Sequence, residues 1–95
     1  MRWTLESDLW VPEFFDIQDI LEMGAVKHGS HNWLSPNGGK SSFRSMHDSM
    51  FHHLASSFSG VRLDNESGKD HLLHLATRSL MTYTRIKRGL IHQED

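Results

Sequence analysis

The segment from Ser67 to Lys87 repeats its chemistry at the period of an α-helix, and it does so on two faces at once. At about 100° per residue, Leu72, Leu73, Ala76, Leu80 and Tyr83 gather on one side. His71, His74, Arg78 and Arg85 gather on another, spaced by three, four and seven residues. Ser67, with Asp70 three positions later, has the form of a capping arrangement, which places the helix start around Ser67 or Gly68. Two further segments keep the same period. One begins near Val11, with Pro12 suited to an N-terminal position, Ile17, Ile20, Leu21 and Gly24 on one face, and Gly29 as a stop. The other runs from Ser41 or Ser42 to about Phe58, with Phe43, Met46, Met50, Phe51, Leu54 and Phe58 as its apolar arc and Gly60 beyond its end. On that wheel His47 falls inside the arc, His53 lies at its edge and His52 points away. No stretch alternates with the period-2 pattern of a strand. The sequence therefore predicts an all-α fold, a small bundle of three principal helices, followed by a polar, frayed tail, "IKRGLIHQED".

Ninety-five residues make one domain, 1–95, with its core between about 12 and 87. A chain this short buries little surface, so a homo-oligomer is expected. Ten basic and twelve acidic side chains, with no long run of either sign, give no support to a dedicated nucleic-acid surface. The absence of cysteine excludes disulfides and thiolate metal sites and fits a reducing cytoplasm. No apolar run approaches a membrane span, and "MRWTLESDLW" carries acids where a signal peptide needs an apolar stretch. The unusual count is eight histidines, seven of them from His28 to His74.

The stretch "DNESGKDHLLH" brings carboxylates and imidazoles together around Gly68. His71 and His74, one helical turn apart, can aim both rings at one point, and the preceding connection can swing Asp64 and Glu66 toward it. His53 completes such a set if the second and third helices pack antiparallel. Helix-start duty accounts equally for Glu66, Ser67 and Asp70, since acids complement the dipole there. Arg78, a turn beyond His74, is suited to grip a phosphate bidentately, or else to pair with Asp70 or Glu66 in solvent. Asp16, Asp19 and Glu22 recur every three residues but lie opposite the apolar face, as a solvated face would. His47-Asp48 spells the dyad of HD phosphohydrolases, a two-letter motif common by chance. "PNGGKSS" lacks the spacing of a phosphate loop, and flexibility suffices to explain it, although Lys40 there can serve a flap. In "MGAVKHGSHNW", Trp33 can stack a base and Lys27 or Asn32 can hold phosphate or base edges; Trp33 can equally cap a small core.

Four blocks in order, "GAVKHGSHNW", "HHL", "GVRLDNESG" and "HLLHLATR", make the chain similar to a phage-associated family, the dATP/dGTP diphosphohydrolase N-terminal domain, related to all-α MazG-like pyrophosphohydrolases. The resemblance spans about Ile17 to Tyr83. Gly24, Lys27, Gly29, Asn32, Trp33, His53, Asp64, Glu66, Gly68, His71 and His74 match its pattern. It departs at His28 (tyrosine in the family), His52 (arginine), Val61 (an acid) and Arg78 (asparagine). The E-x-x-E and E-x-x-D signature of MazG-like enzymes is not recognisable.

The resemblance implies cleavage of a purine deoxynucleoside triphosphate to monophosphate and pyrophosphate with a divalent metal, Mg²⁺ or Mn²⁺ ahead of Zn²⁺ or Fe, in the host cytoplasm if the chain is phage-encoded. Ligand spacing, read with that implication, predicts metal ligands His53, Asp64, Glu66, His71 and His74, with Glu66, His71 and His74 also catalytic. Lys27, Asn32, Trp33 and Arg78 are the predicted substrate contacts. Mixed imidazole and carboxylate ligands themselves favour Mn²⁺, Zn²⁺ or Fe over a pure Mg²⁺ cage. A protein that binds nucleotide without cleaving it, or an interaction module, is the competing expectation.

Overall fold

The computed structural model describes residues 8–29, 32–34 and 43–91. Three α-helices dominate: α1 (Val11–His28), α2 (Phe43–Phe58) and α3 (His71–Lys87), with a 3-10 turn, Asn32–Leu34, between the first two. Among the described residues no strand forms, and a lone antiparallel bridge joins Leu63 to Asp70. The fold is the all-α small bundle that the hydrophobic periods predict. The loop containing Gly38, Gly39 and Lys40 lies outside the described residues, as do His31 and the side chain of Asn32.

Local chemistry sets the boundaries. Proline in the first turn of α1 gives up an N–H that would have no intrahelical partner there. At the other end Gly29, at φ 98°, donates its N–H to Ala25 O at 2.9 Å and turns the chain out of the helix. α3 begins later than its capping pattern suggests, because Asp70 itself is the cap: its carboxylate accepts the Leu72 N–H at 2.8 Å. Ser67 is thereby freed for another use. Ahead of the cap the chain folds on itself, with Gly68 N–H donating to Asp64 O and Asp64 N–H to Lys69 O, both at 2.8 Å.

α3 is the central element, with α2 packed along it and α1 against it. His53 meets His71 and His74, while Met50 meets Ser79, the pairing order of an antiparallel hairpin. Which face of α3 turns inward is the main surprise of the fold. Its imidazole and arginine side is buried, with His71, His74, Thr77, Thr82 and Arg85 all shielded. Leu72, Leu80 and Tyr83 are exposed. Among the described residues only Met46 and Ile91 are buried apolar side chains. Thr77 and Thr82 tolerate the interior because each hydroxyl donates to the carbonyl four residues back, Leu73 O at 2.9 Å and Arg78 O at 2.8 Å.

The tail is corrected by the structure. Instead of fraying directly after α3, the chain turns at Gly89, Leu90 N–H donates to Arg85 O at 2.9 Å, and Ile91 is buried. No described helix is long and apolar enough to cross a membrane.

Candidate functional site

Part of the polar side of α3, with His74, Arg78 and Arg85, forms one wall of a pocket of about 670 Å³. The facing wall is α1, from Gln18 to Gly29, and Trp33 and Leu34 of the 3-10 turn also line it. Met46 and His53 reach it from α2, and Asp64, Glu66 and Ser67 from the connection. That size falls within the range of small-molecule sites. The pocket has two chemical poles, one of imidazole through His53 and His74 and the other of guanidinium; His52 and His71 adjoin His53 outside its lining.

The imidazole pole is built where the end of α2 crosses the start of α3. His53 Nδ1 and His71 Nδ1 face each other at 2.9 Å. His74 stacks parallel on His53 at 4.7 Å between ring centroids. Its Nε2 shares a 2.7 Å hydrogen bond with the Ser67 hydroxyl and lies 4.0 Å from Asp64 Oδ2. The Asp64 carboxylate also accepts the Ser67 backbone N–H at 2.9 Å. That hydrogen bond, ahead of the nearby imidazoles, holds Asp64 below the usual carboxylate range. Burial, followed by the neighbouring His74, His52 and His71, pushes His53 down to about 4. Burial likewise lowers His74. His53 is therefore neutral near pH 7, with one ring nitrogen able to offer its lone pair to a cation.

Ligand atoms of His52, His53, Asp64 and His71 lie within 4.8 Å of one another. This donor set fits a divalent cation on two grounds. Three imidazoles and one carboxylate are a familiar transition-metal combination. In addition, two buried ring nitrogens already point at each other, a geometry that a shared cation would satisfy. The set unites three of the predicted ligands, His53, Asp64 and His71, and adds His52, which the wheel turned away. His52 is exposed, but its ring still lies 5.8 Å from that of His71. A sequence signal for it existed in the adjacent pair His52-His53, because a group of ligands at a helix crossing can be reached by consecutive residues on either side of the contact line. His74 borders this group without belonging to it. Glu66 does not join it either: its carboxylate is mostly exposed and pairs with Lys27 Nζ at 2.6 Å, which lowers its pKa.

The guanidinium pole comes from Arg78, Arg85 and Arg88 on and just after α3. Asp70 is engaged by Arg62 at 3.2 Å and Glu66 by Lys27, so the two acids expected as solvent partners of Arg78 are taken elsewhere. Arg78 Nε is buried with no hydrogen-bond partner among the described residues. Arg85 is fully buried, and that burial lowers its pKa. Ser67 and Arg85 were absent from the predicted site; seven-residue spacing from Arg78 was the available signal for Arg85.

Lys27 and Trp33 line the pocket; Asn32 places its backbone in the 3-10 turn. Asp16, Asp19 and Glu22 are exposed, as expected of a solvated face, but Glu22 also lines the pocket, which the expectation did not include. His47 stays on its own helix, its Nδ1 2.8 Å from Phe43 O.

The family model for dATP/dGTP diphosphohydrolase, N-terminal, matches residues 8–94. No curated protein and no solved structure matches the chain.

Proposed function

The chain belongs to the dATP/dGTP diphosphohydrolase N-terminal family, and from that premise we propose that its pocket binds a purine deoxynucleoside triphosphate and cleaves it to monophosphate and pyrophosphate. The observation that carries the reading is one pocket of nucleotide size lined by arginines and by His53 and Asp64, the two members through which the cation-ready group His52, His53, Asp64 and His71 reaches it. A triphosphate needs both, because its charge is spread along the chain and grows at the leaving group as the bond breaks. A divalent cation held by His52, His53, Asp64 and His71 would neutralise phosphate charge and lower the pKa of a bound water. Arg78 and Arg85 offer planar donor forks to phosphate oxygens. Trp33 offers a face for the base, with Asn32 beside it in sequence. His74, neutral and tied to Ser67, is positioned to take a proton. Glu66 contributes through Lys27, whose ammonium it holds at the pocket wall.

One observation favours a second reading, nucleotide binding without turnover. The candidate ligand group holds one carboxylate, Asp64, since Glu66 is paired with Lys27 and Glu22, although it lines the pocket, is not in the group, and a Mg²⁺ ion prefers more oxygen ligands than that. Val61 and Arg78, standing where the family has an acid and an asparagine, point the same way.

Incubation of the chain with each deoxynucleoside triphosphate and Mn²⁺ or Mg²⁺ tests the proposal. Pyrophosphate release greatest with dATP or dGTP is the expected result. A nucleotide-induced rise in melting temperature without pyrophosphate would establish the second reading, and neither response would refute both.

A further inference from the structure

The group His52, His53, Asp64 and His71 draws its ligands from three successive elements: the second half of α2, the connection, and the first residue of α3. All four ligand atoms lie within 4.8 Å of one another. Around a tetrahedral ion with bonds of about 2.0–2.2 Å they would stand roughly 3.3–3.6 Å apart. The buried pair, His53 Nδ1 and His71 Nδ1, is already inside that spacing at 2.9 Å. His52 is exposed, with its ring 5.1 Å from that of His53 and 5.8 Å from that of His71, so it has room to turn inward. Modest side-chain rotations bring all four donors onto one centre. The group also straddles the pocket wall. His53 and Asp64 line the pocket, while His52 and His71 complete the group from outside its lining.

What such a centre does depends on how many ligands its ion takes. Mg²⁺ and Mn²⁺ favour six, so four protein donors leave two positions for water or phosphate oxygens. Zn²⁺ favours four. Its structural sites are closed by four protein ligands, and its catalytic sites keep three and an open position. Zn²⁺ also outranks Mn²⁺ in affinity for a given set of nitrogen and oxygen donors, and imidazole suits it well. The ion this group holds more tightly is thus the one that leaves no place for a substrate oxygen.

Resting on the reading of the pocket as a triphosphate site, we propose that Zn²⁺ inhibits it: the ion takes all four side chains, displaces the working cation and leaves no coordination position open toward the pocket. His52 is the residue that makes closure possible. Without it, His53, Asp64 and His71 form a three-ligand set with an open position, two of whose members reach the pocket or its edge through His53 and Asp64.

The test uses the full chain, stripped with chelator and reloaded with one equivalent of Mn²⁺ or Zn²⁺. In competition with a metal-indicator dye, Zn²⁺ should bind about tenfold or more tightly than Mn²⁺. Adding dATP or dGTP should raise the melting temperature of the Mn²⁺ form, and the Zn²⁺ form should lose most of that rise. His52→Ala, at an exposed position, should bind Zn²⁺ more weakly and restore the nucleotide response of the Zn²⁺ form. A Zn²⁺-loaded wild type that responds as strongly as the Mn²⁺ form overturns the proposal. So does Zn²⁺ affinity that His52→Ala leaves unchanged. No response in the Mn²⁺ form is a different failure, because it removes the nucleotide reading itself and the proposal with it. Co²⁺ in place of Zn²⁺ checks the closure without any variant. It should show the strong visible absorption of a four-coordinate centre and keep that spectrum when nucleotide is added, and a spectrum that nucleotide alters overturns the closed site.

Discussion

Replacing Arg78 by methionine should separate what the fold wants from what the pocket wants. The guanidinium sits on the pocket wall with Nε buried and lacking a hydrogen-bond partner among the described residues, while Asp70 and Glu66 pair with Arg62 and Lys27. A buried donor left unfilled costs about 1–3 kcal/mol, and methionine removes that cost while keeping much of the apolar stem. Lost packing offsets part of the gain. The nucleotide-free variant is therefore expected to match the wild type or exceed it by ~1 kcal/mol, a rise of at most roughly 4–8 °C for a domain of this size. Triphosphate binding should move the other way. A charge-assisted hydrogen bond contributes about 1.5–3 kcal/mol, which is roughly a 10- to 150-fold loss of affinity. Differential scanning fluorimetry across a dATP or dGTP titration reads both quantities in one experiment. Arg78→Lys should recover only part of the binding, because a point charge lacks the planar fork. The reasoning is refuted if Arg78→Met destabilises the nucleotide-free chain by more than about 2 kcal/mol, since the arginine would then be holding the fold together, a loss in the range reserved for named structural roles. Unchanged affinity would refute it equally.

Other outcomes follow from the same geometry. In chelator, stability should be flat above about pH 6.5 and fall as pH drops toward 4, because the unfolded chain protonates His53 at its ordinary value while the fold keeps it neutral to about 4. At pH 5 that loss reaches ~2 kcal/mol as an upper figure, and His53→Gln should show a correspondingly shallower dependence in urea melts. His71→Ala and His74→Ala should each abolish pyrophosphate release with little loss of helical circular dichroism; activity unchanged in both would remove them from the mechanism. Elemental analysis should distinguish the two, with His71→Ala retaining less divalent metal than His74→Ala, since only His71 belongs to the four-residue ligand group. Asp70→Ala should cost ~1 kcal/mol by stripping the cap from α3, measured as a lowered urea midpoint at unchanged slope.

The helices were legible because period and punctuation agree: the apolar positions repeat at helical spacing, and glycine stands where α1 stops and just beyond the end of α2. The start of α3 was less so, since Ser67 and Asp70 both read as caps and only the turn closed by Asp64 and Gly68 shows that Asp70 takes the role. In the site, His53, Asp64 and His71 were found together because an antiparallel hairpin with a short connection leaves them little choice. Glu66 shared their stretch of sequence but not their position. Its partner, Lys27, comes from a distant helix, and no spacing rule within the connection could reveal it.

The inward turn of α3's polar side has a different cause. A two-faced sequence states that one face must be shielded from water, but it does not say by what. In a bundle complete within one chain the apolar face goes inside, and the usual reading of a helical wheel assumes that case. Here the pocket takes His74, Arg78 and Arg85 of α3, His71 pairs with His53, and the threonines satisfy themselves on their own helix, so much of the polar side is accommodated inside one chain, with the buried Arg78 Nε as an exception. The apolar stripe is then free to face outward, which is favourable only if something covers it. Site and surface are thus two consequences of one orientation. A helix that turns His74, Arg78 and Arg85 toward the pocket leaves Leu72, Leu80 and Tyr83 on its exposed side.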